Sequence, residues 1–298
     1  MHGLLRSIGL KYISSKRELE TLLSEATQNP DEQKVVAVSA EGENIVEFRK
    51  YLGKGIGVIL HGYYNEDNEF VREYYFPFID GGYYNEKEEV TINRHIGKTS
   101  FAGTCEDARI GVSMIFYLQN GIEFINYLLD KKHSVIHGSL SLVGLAASGT
   151  ILLPVNKSAK QVHMNRMARQ NRRELLNAAK QGDEAAIENL TIEDLDLYSQ
   201  ISKRIRKEDV FTIVDNTFMP YGVECDHYMV MGDIEELEEI INTYSQEGIY
   251  RMTVDCNDVK LSIAVNKEDL VGEPMIGRRF KGSIWLQGII DFDSISKK

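Results

Sequence analysis

The chain has 298 residues, 43% of them hydrophobic, so it is long enough to bury an extensive core. Its formal net charge of -11 opposes non-specific attraction to nucleic acids and anionic membranes, and leaves such contacts to a local basic patch. The three cysteines are widely spaced and no signal-peptide pattern opens the chain, which favours a reducing compartment and a cytoplasmic location.

The N-terminal half is predicted to be a helix followed by an antiparallel meander. Ser15 and Glu18 form a capping-box pattern ahead of an apolar stripe, which predicts a helix to about residue 27. Turns rich in Asn, Asp and Gly separate the strand-like runs that follow. We expect a strand at 35–38, several strands between 45 and 96, a strand at 110–118, a helix at 121–131 and two β-like runs at 134–154.

Residues 157–207 are rich in helix formers, and their charges are sorted into successive blocks of +6, -6 and +4. Gly182 and Asp183 indicate the end of one helix and the start of the next. Thr191 with Asp194 suggests a further cap, so we expect three helices in succession. The matched signs favour a basic helix lying against an acidic one.

The C-terminal part is predicted to be a compact unit of strands around one helix. Asp233 and Glu236 resemble a helix cap, which predicts a helix from there to about residue 246. We expect strands at 210–214, 227–231, 250–255, 259–265 and 280–290, with Asn257 and Asp258 forming the turn between two of them.

These elements predict an α+β fold class with two β-rich domains, made mostly of antiparallel sheets with flanking helices. The first domain spans residues 1–156 and is α+β. Residues 157–207 form a charged helical connector. Residues 208–298 form a second, small α+β or barrel-like domain.

The clearest candidate for anion binding is a short basic run beside a predicted strand. Arg278, Arg279 and Lys281 stand between two glycines, and a carboxylate such as Glu224 or Asp226 could act with them. Nearby acidic residues favour structural ion pairs as the alternative.

Other reactive side chains form no complete motif. Residues 224–227 hold four metal-competent side chains in a row, but consecutive residues seldom converge on one ion and no second ligand pair matches them. Six tyrosines occur as three adjacent pairs between 63 and 84, a pattern more typical of sheet packing than of ring stacking on a ligand. We therefore expect no metal and no cofactor.

Three runs, at 73–78, 218–226 and 279–288, resemble an uncharacterised bacterial family, a domain of unknown function found mainly in Firmicutes. The similarity extends over nearly the whole chain. It implies a cytosolic bacterial protein. It assigns no catalytic or binding residues.

The lack of a complete catalytic motif favours a non-catalytic cytosolic binding or assembly protein, with a small molecule or another protein as its partner. An enzyme that acts on an anionic or phosphate-bearing small molecule through the basic run is the first alternative. Nucleic-acid binding through the arginines between Arg166 and Arg173 is the second, and the net charge opposes it. The longest apolar run, 139–155, falls short of the roughly 20 residues of a membrane span, so we expect no membrane contact.

Overall fold

A computed structural model describes residues 3–13, 15–37, 44–94, 100–107, 112–131, 135–155, 159–204, 206, 214 and 216–292. Over these residues the protein is an α+β fold in which strands predominate and most strand pairs are antiparallel, which confirms the predicted class. None of the described helices combines the length and the apolar character needed to cross a membrane.

The described helices and strands follow one another from a 3₁₀ turn at Gly3–Ile8 to a long C-terminal strand. The helices are α1 (Lys16–Gln28), α2 (Gly121–Lys131), α3 (Ala159–Lys180) and α4 (Glu184–Arg204). The strands are β1 (Glu32–Ala37), β2 (Asn44–Gly53), β3 (Ile56–Tyr64), β4 (Phe70–Ile79), β5 (Asn85–Arg94), β6 (Phe101–Asp107), β7 (Val112–Leu118), β8 (Val135–Leu152), β9 (Thr217–Pro220), β10 (His227–Ile241), β11 (Gly248–Cys256), β12 (Val259–Asn266), β13 (Leu270–Val271) and β14 (Arg279–Ile290).

The first sheet is an antiparallel meander of β1, β2, β3 and β4 in chain order. The α1 helix begins at Ser15, whose side chain and that of Glu18 make the predicted capping box. Its apolar stripe, which includes Leu19, Leu22 and Leu23, is buried in one core with the apolar residues of this sheet. The capped helix is confirmed, and the meander is confirmed as far as Ile79. The last strand expected in it, β5, instead pairs with β6 and β8 in the second sheet.

The second sheet contains the remaining strands and closes on itself twice. In one ring β10, β11, β12, β8 and β14 each pair with the next, and β14 pairs back to β10. The other ring runs in the order β8, β5, β6, β7 and β14, each strand pairing with the next, and β14 pairs back to β8. The antiparallel ladder of β8 with β14 belongs to both rings, so it is the structural centre of the fold.

Strand pairing crosses the predicted domain boundaries. The strand β8 lies before residue 156 and β14 lies after residue 208, yet they pair from Leu140 with Ile290 to Leu152 with Arg279. A barrel-like ring does form in the C-terminal part, but it is completed by β8. The two halves therefore share one sheet.

The predicted helix at 233–246 is wrong, because most of this segment belongs to β10. Its run of acidic residues is typical of a helix, but cations on other strands and turns contact several of these carboxylates. The ion pairs are Glu235 with Lys260, Glu238 with Arg251 and Lys54, and Glu239 with Lys267. Tertiary pairing overrides local helix propensity here.

The described part of the charged insert contains two helices rather than the three predicted. The α3 helix ends at Gly182, which has a φ of +88°, and Asp183 Oδ1 accepts from the amides of Ala185 and Ala186 at the start of α4. Thr191 lies inside α4, where its hydroxyl donates to the carbonyl of Ile187. The two helices form a hairpin and lie against each other.

Three other predictions meet different outcomes. The two β-like runs expected at 134–154 form one long strand, β8, although Gly144 and Gly149 lie within it. The strand expected at 210–214 falls on residues 210–213, which lie outside the described residues. The turn at Asn257 and Asp258 is confirmed, since both residues have positive φ.

Candidate functional site

A row of polar side chains crosses the first sheet from edge to edge. In the strand register Lys34 on β1 faces Glu47 on β2, Glu47 faces His61 on β3, and His61 faces Tyr74 on β4. Facing residues of neighbouring strands point to the same side of a sheet, with Cβ atoms about 5 Å apart. We call these four residues the polar row.

The middle of the polar row is buried and charged. Glu47 is 1% exposed and His61 is 3% exposed, and Glu47 Oε2 lies 3.2 Å from His61 Nε2. Arg49 Nη2 and Lys34 Nζ lie 3.9 and 4.0 Å from Glu47 Oε1. Burial favours the neutral acid, but the contact with His61 and the charges of Arg49 and Lys34 outweigh it, so the pKa of Glu47 is lowered.

Polar atoms without a hydrogen-bond partner concentrate in this row. Among the described residues, the buried atoms without a well-aligned hydrogen bond include both carboxylate oxygens of Glu47, whose contacts with His61, Arg49 and Lys34 are ion pairs. They also include Nδ1 of His61 and, beside the row, Nε of Arg49. An unsatisfied buried polar group costs about 1–3 kcal/mol, so a cluster of them indicates a place where another molecule supplies the missing partners.

The row continues through aromatic rings into the second sheet. The ring of Tyr74 stacks on that of His61 at 4.8 Å, and its hydroxyl is hydrogen-bonded to that of Tyr117 on β7. Burial and this contact raise the pKa of Tyr117 well above its ordinary value. Phe76 and Trp285 pack on Tyr117 at 4.7 and 5.2 Å between ring centres.

Two buried glutamines hold the first sheet against β7 and β14 beside these rings. Gln119 Nε2 donates to the carbonyl of Ile79 at 3.0 Å, and Gln287 Nε2 donates to that of Pro77 at 2.9 Å. Gln119 Nε2 also donates to Gln287 Oε1 at 2.6 Å. The end of β4 is therefore fixed against the second sheet, which sets the spacing between Tyr74 and Tyr117.

The row reaches the surface at a carboxylate and a histidine. Asp226 Oδ2 accepts from Trp285 Nε1 at 2.7 Å, and Asp226 Oδ1 lies 3.1 Å from His227 Nδ1. Burial raises the pKa of Asp226, but the contacts with His227 and Trp285 outweigh it and the net shift is downward. The hydrogen bond to Asp226 raises the pKa of His227 in turn. Both side chains are partly exposed.

The predicted anion site is not assembled as a cluster. Asp226 lies beside Leu286, whose amide donates to its carbonyl, whereas Arg279 is seven residues away on the same strand, about 20 Å. Arg279 is buried and donates to the carbonyls of Leu153 and Val214. On this geometry Arg279 has a structural role, and Asp226 belongs to the aromatic end of the polar row.

The other residues of the predicted anion site lie on β14 or in the turns that precede β10 and β14. Arg278 donates to the carbonyl of Glu273 at an exposed turn. Lys281 faces Met231 on β10, between Arg279 and the tryptophan end of β14. Glu224 is exposed in the turn before β10 and contributes to the raised pKa of His227.

The described residues contain no group of three or more His, Cys, Asp or Glu side chains placed to hold a metal ion. For the predicted phosphate contact by the arginines of α3, only Arg172 has a described side chain. It donates to Asp194 at 2.7 Å and lies 3.7 Å from Glu193, both on α4. The side chains of Arg166, Arg169 and Arg173 lie outside the described residues.

The sequence does carry a signal for Glu47 and His61. Glu47 stands between Val46 and Phe48, and His61 directly follows Ile59 and Leu60, so each polar residue has apolar neighbours in its strand. Such a residue is buried on one face of the sheet with the apolar residues around it. The signal does not say that the two meet, because that depends on the register between β2 and β3.

The sequence pattern of a domain of unknown function, described as an E. rectale gene family and called DUF3881, matches residues 5–288. The match includes the whole polar row, Tyr117, the Asp226 and His227 pair, and Trp285. No curated protein and no solved structure is significantly similar to the chain.

Proposed function

The chain belongs to the DUF3881 family, and we propose that it is a non-catalytic binding protein whose polar row holds a small polar molecule. The observation that carries the proposal is the cluster of buried atoms on Glu47, His61 and Arg49 that lack hydrogen-bond partners. Buried polar groups are paired in nearly all folded proteins, and in this proposal a bound polar molecule supplies the missing partners.

The direction of the pKa shifts favours binding over proton transfer. A general acid or base works best when its pKa lies near the operating pH. The pKa of Glu47 is lowered and that of Tyr117 is raised, so both move away from neutrality. Glu47 therefore stays charged and Tyr117 stays protonated, which gives the row one fixed pattern of donors and acceptors.

That fixed pattern selects a class of ligand. The ionised Glu47 offers two acceptor oxygens and Arg49 Nε offers a donor. Tyr74 and the partly exposed Asp226 and His227 lie at the end of the row that reaches the surface. A small compound with hydroxyl or amino groups, such as a polyol or an amino alcohol, offers the donors and acceptors that pair with Glu47 and Arg49.

Native mass spectrometry of the purified full chain tests the proposal. The folded protein is expected to carry a small non-covalent mass that is absent after denaturation. Glu47→Gln removes the charge with little change in shape and is expected to abolish most of this extra mass. Glu66→Gln, in an exposed turn, is the matched control and is expected to keep it.

A wild-type protein without bound mass, and without thermal stabilisation by a panel of polyols and amino alcohols, would contradict the proposal. Equal loading of Glu47→Gln and wild type would show that any bound molecule lies elsewhere.

The raised pKa of His227 favours a second candidate function, an enzyme that uses His227 and Asp226 for acid and base catalysis. The shift favours the protonated form of His227, and the pair lies at the exposed end of the row. Asp226→Asn removes the charge that raises this pKa, so NMR titration is expected to show the pKa of His227 moving down. An unchanged titration would remove the basis for this candidate.

A cytoplasmic location and a bacterial source belong to the same proposal, as does a helical connector at 157–207 between two parts of the chain that share one sheet. Limited proteolysis within α3 and α4 tests the connector. Because β8 and β14 pair across it, the two fragments are expected to stay together under native conditions and to separate only in denaturant. Fragments that separate without denaturant would favour two independent domains.

A further inference from the structure

Building on the binding function proposed above, on which it rests, we propose that the ligand of the polar row is an organic cation with a primary ammonium group. Two features of the molecule point to this class of ligand. One is the balance of charge around Glu47, and the other is the kind of atom that lacks a well-aligned hydrogen bond.

Carboxylates outnumber fixed cations around the buried middle of the polar row. The carboxylates are those of Glu32, Glu47, Asp80 and Glu123. Each of them lies within 4.0 Å of a nitrogen of Lys34 or Arg49. Four carboxylates against two fixed cations leave a formal charge of -2 with His61 uncharged. Glu47 is the fully buried member, and an uncompensated charge in such a place is unfavourable, so a bound cation stabilises it.

Arg49 does not satisfy the carboxylates around it. Its guanidinium carbon lies 4.7 Å from the centre of the Phe78 ring, a stacking contact that fixes the plane of the group. Its nitrogens lie 4.0, 3.9 and 3.8 Å from oxygens of Glu32, Glu47 and Asp80. All three distances are too long for hydrogen bonds. The oxygens of Glu47 can therefore accept from another donor.

The buried atoms without a well-aligned hydrogen bond are mostly acceptors. In the part of the chain that the structure describes, four are oxygens that only accept: both carboxylate oxygens of Glu47, Oε2 of Glu123 and Oε1 of Gln119. Nε of Arg49 is a donor, and Nδ1 of His61 and Oγ of Ser141 can act either way. An ammonium group has three N–H donors and no acceptor, so it matches this excess. A hydroxyl group brings acceptor lone pairs with its one donor and matches it less well.

The acceptors outside the row belong to the segment that joins β7 to α2, which faces the first sheet. Gln119 directly follows β7, and Glu123 lies in the first turn of α2. Lys34 Nζ donates to Glu123 Oε1 at 2.5 Å, and this contact ties the start of α2 to β1. The side chains of Lys34 and Glu123 are each 33% exposed, so a cation can reach the row from solvent at this end.

A metal ion is the alternative cation, and the geometry does not favour it. Metal ions require several oxygens at about 2.0–2.6 Å from one point. Among the residues that the structure describes, no three His, Cys, Asp or Glu side chains are placed in that way. The carboxylates are instead spread around the nitrogens of Lys34 and Arg49. An ammonium group can use separated oxygens, because its three N–H bonds point in different directions.

Isothermal titration calorimetry of the full chain with matched pairs of small molecules tests the charge of the ligand. The chain is first unfolded, washed and refolded to remove molecules from the producing cells. Methylamine, ethanolamine and butylamine are compared with methanol, ethylene glycol and butanol, which have similar shapes without the charge. At least one amine is expected to bind at least about tenfold more tightly than its hydroxy counterpart, because charge-assisted hydrogen bonds are the stronger ones. Sodium and calcium chloride are expected not to compete with it.

Two variants that change the charge in opposite directions separate electrostatics from loss of structure. Glu47→Gln removes a negative charge and is expected to weaken amine binding at least about tenfold. Lys34→Met removes a resident cation, keeps a long side chain, and is expected to strengthen amine binding at least about threefold because a repulsion is lost. A site that only lost its shape would bind more weakly in both variants. Glu66→Gln, in an exposed turn, is the control and is expected to stay within about twofold of wild type.

Several results would overturn the ammonium ligand while the binding function stands. They are hydroxy compounds that bind as tightly as their amines, weaker amine binding in Lys34→Met, and equal competition by sodium or calcium. Failure of every amine to bind a chain that carried a bound mass before washing would do the same. A chain that carries no bound mass and binds neither series would overturn the binding function as well.

The compound released from the purified chain on denaturation provides a second measurement that needs no refolding. An ammonium compound becomes a free amine at alkaline pH, so the released compound is expected to react with an amine-specific reagent. A released compound that is depleted in Glu47→Gln but does not react would overturn the ammonium ligand.

Discussion

The interior of the first sheet and the surface of the α3 and α4 hairpin reverse the usual distribution of residues. The sheet buries Glu47, His61 and Arg49, whereas the hairpin exposes Leu195 and Tyr198 to solvent. Ordinarily charge is outside and large apolar side chains are inside. The first reversal leaves polar atoms of the sheet interior without hydrogen-bond partners, which is the basis for the polar ligand proposed there. The second places large apolar side chains in water.

The two regions also differ in what fixes them. The polar row is held by three antiparallel ladders and by the glutamine contacts between the sheets. The hairpin is held mainly by contact between its own two helices. Substitutions in the row should therefore change the stability of the whole fold, and substitutions on the hairpin surface should change it little.

The largest expected effect is at Glu47. Glu47→Ala leaves His61 and Arg49 without their buried counter-charge, and breaking a buried ion pair costs about 3–5 kcal/mol. Denaturant unfolding followed by circular dichroism measures this change. Glu66→Ala, in an exposed turn, is the control and is expected to stay within about 0.5 kcal/mol of wild type. A cost below about 1 kcal/mol for Glu47→Ala would show that the row is weakly coupled to the fold.

Two leucines on helices give the next comparison. Leu22 is 1% exposed on α1, and truncating it to alanine is expected to cost about 2–5 kcal/mol of unfolding free energy. Leu195→Ala on α4 is expected to cost within about 0.5 kcal/mol at a protein concentration where the chain is monomeric. Equal costs would mean that the hairpin surface is packed against the body of the protein.

The smallest effect is a change of stability with pH. The pKa of Glu47 is lowered in the folded protein from an ordinary value of 4.5. Its contribution to stability is therefore present above that ordinary value and is lost as the pH falls through the folded value. The stability difference between wild type and Glu47→Gln should be largest near neutral pH and should shrink in acid. A difference that is constant with pH would show that Glu47 is not ionised.

Local signals predicted the elements whose structure depends on neighbouring residues. The sequence predicted three such features: the helix cap at Ser15, the helix end near Gly182 and the turn at Asn257 and Asp258. Each depends on only a few consecutive residues. The helix expected at 233–246 was wrong because the acidic residues of β10 are neutralised by cations distant in sequence. Only the folded chain brings those charges together.

The candidate site was less predictable for the same reason. Asp226 was identified as a possible ligand-binding residue, but with a basic run that the register places at the other end of β14. Glu47 and His61 are 14 residues apart, and Tyr117 is far from both in sequence. Their contact depends on the pairing of three strands and on the docking of two sheets, which residue patterns alone do not specify.

The most direct test of the polar row is nitrogen NMR of protein labelled at histidine. The protein would first be unfolded, washed free of bound molecules and refolded. Its spectrum would then be recorded before and after a small-molecule extract of the producing cells is added. The His61→Gln variant identifies the His61 signal, because that signal is missing from its spectrum. If the row binds a ligand, the extract shifts the Nδ1 resonance of His61 because that atom gains a partner. In Glu47→Gln protein labelled in the same way, the extract is expected to leave this resonance unchanged. An Nδ1 chemical shift of His61 that stays the same when the extract is added to the wild-type protein would contradict the account.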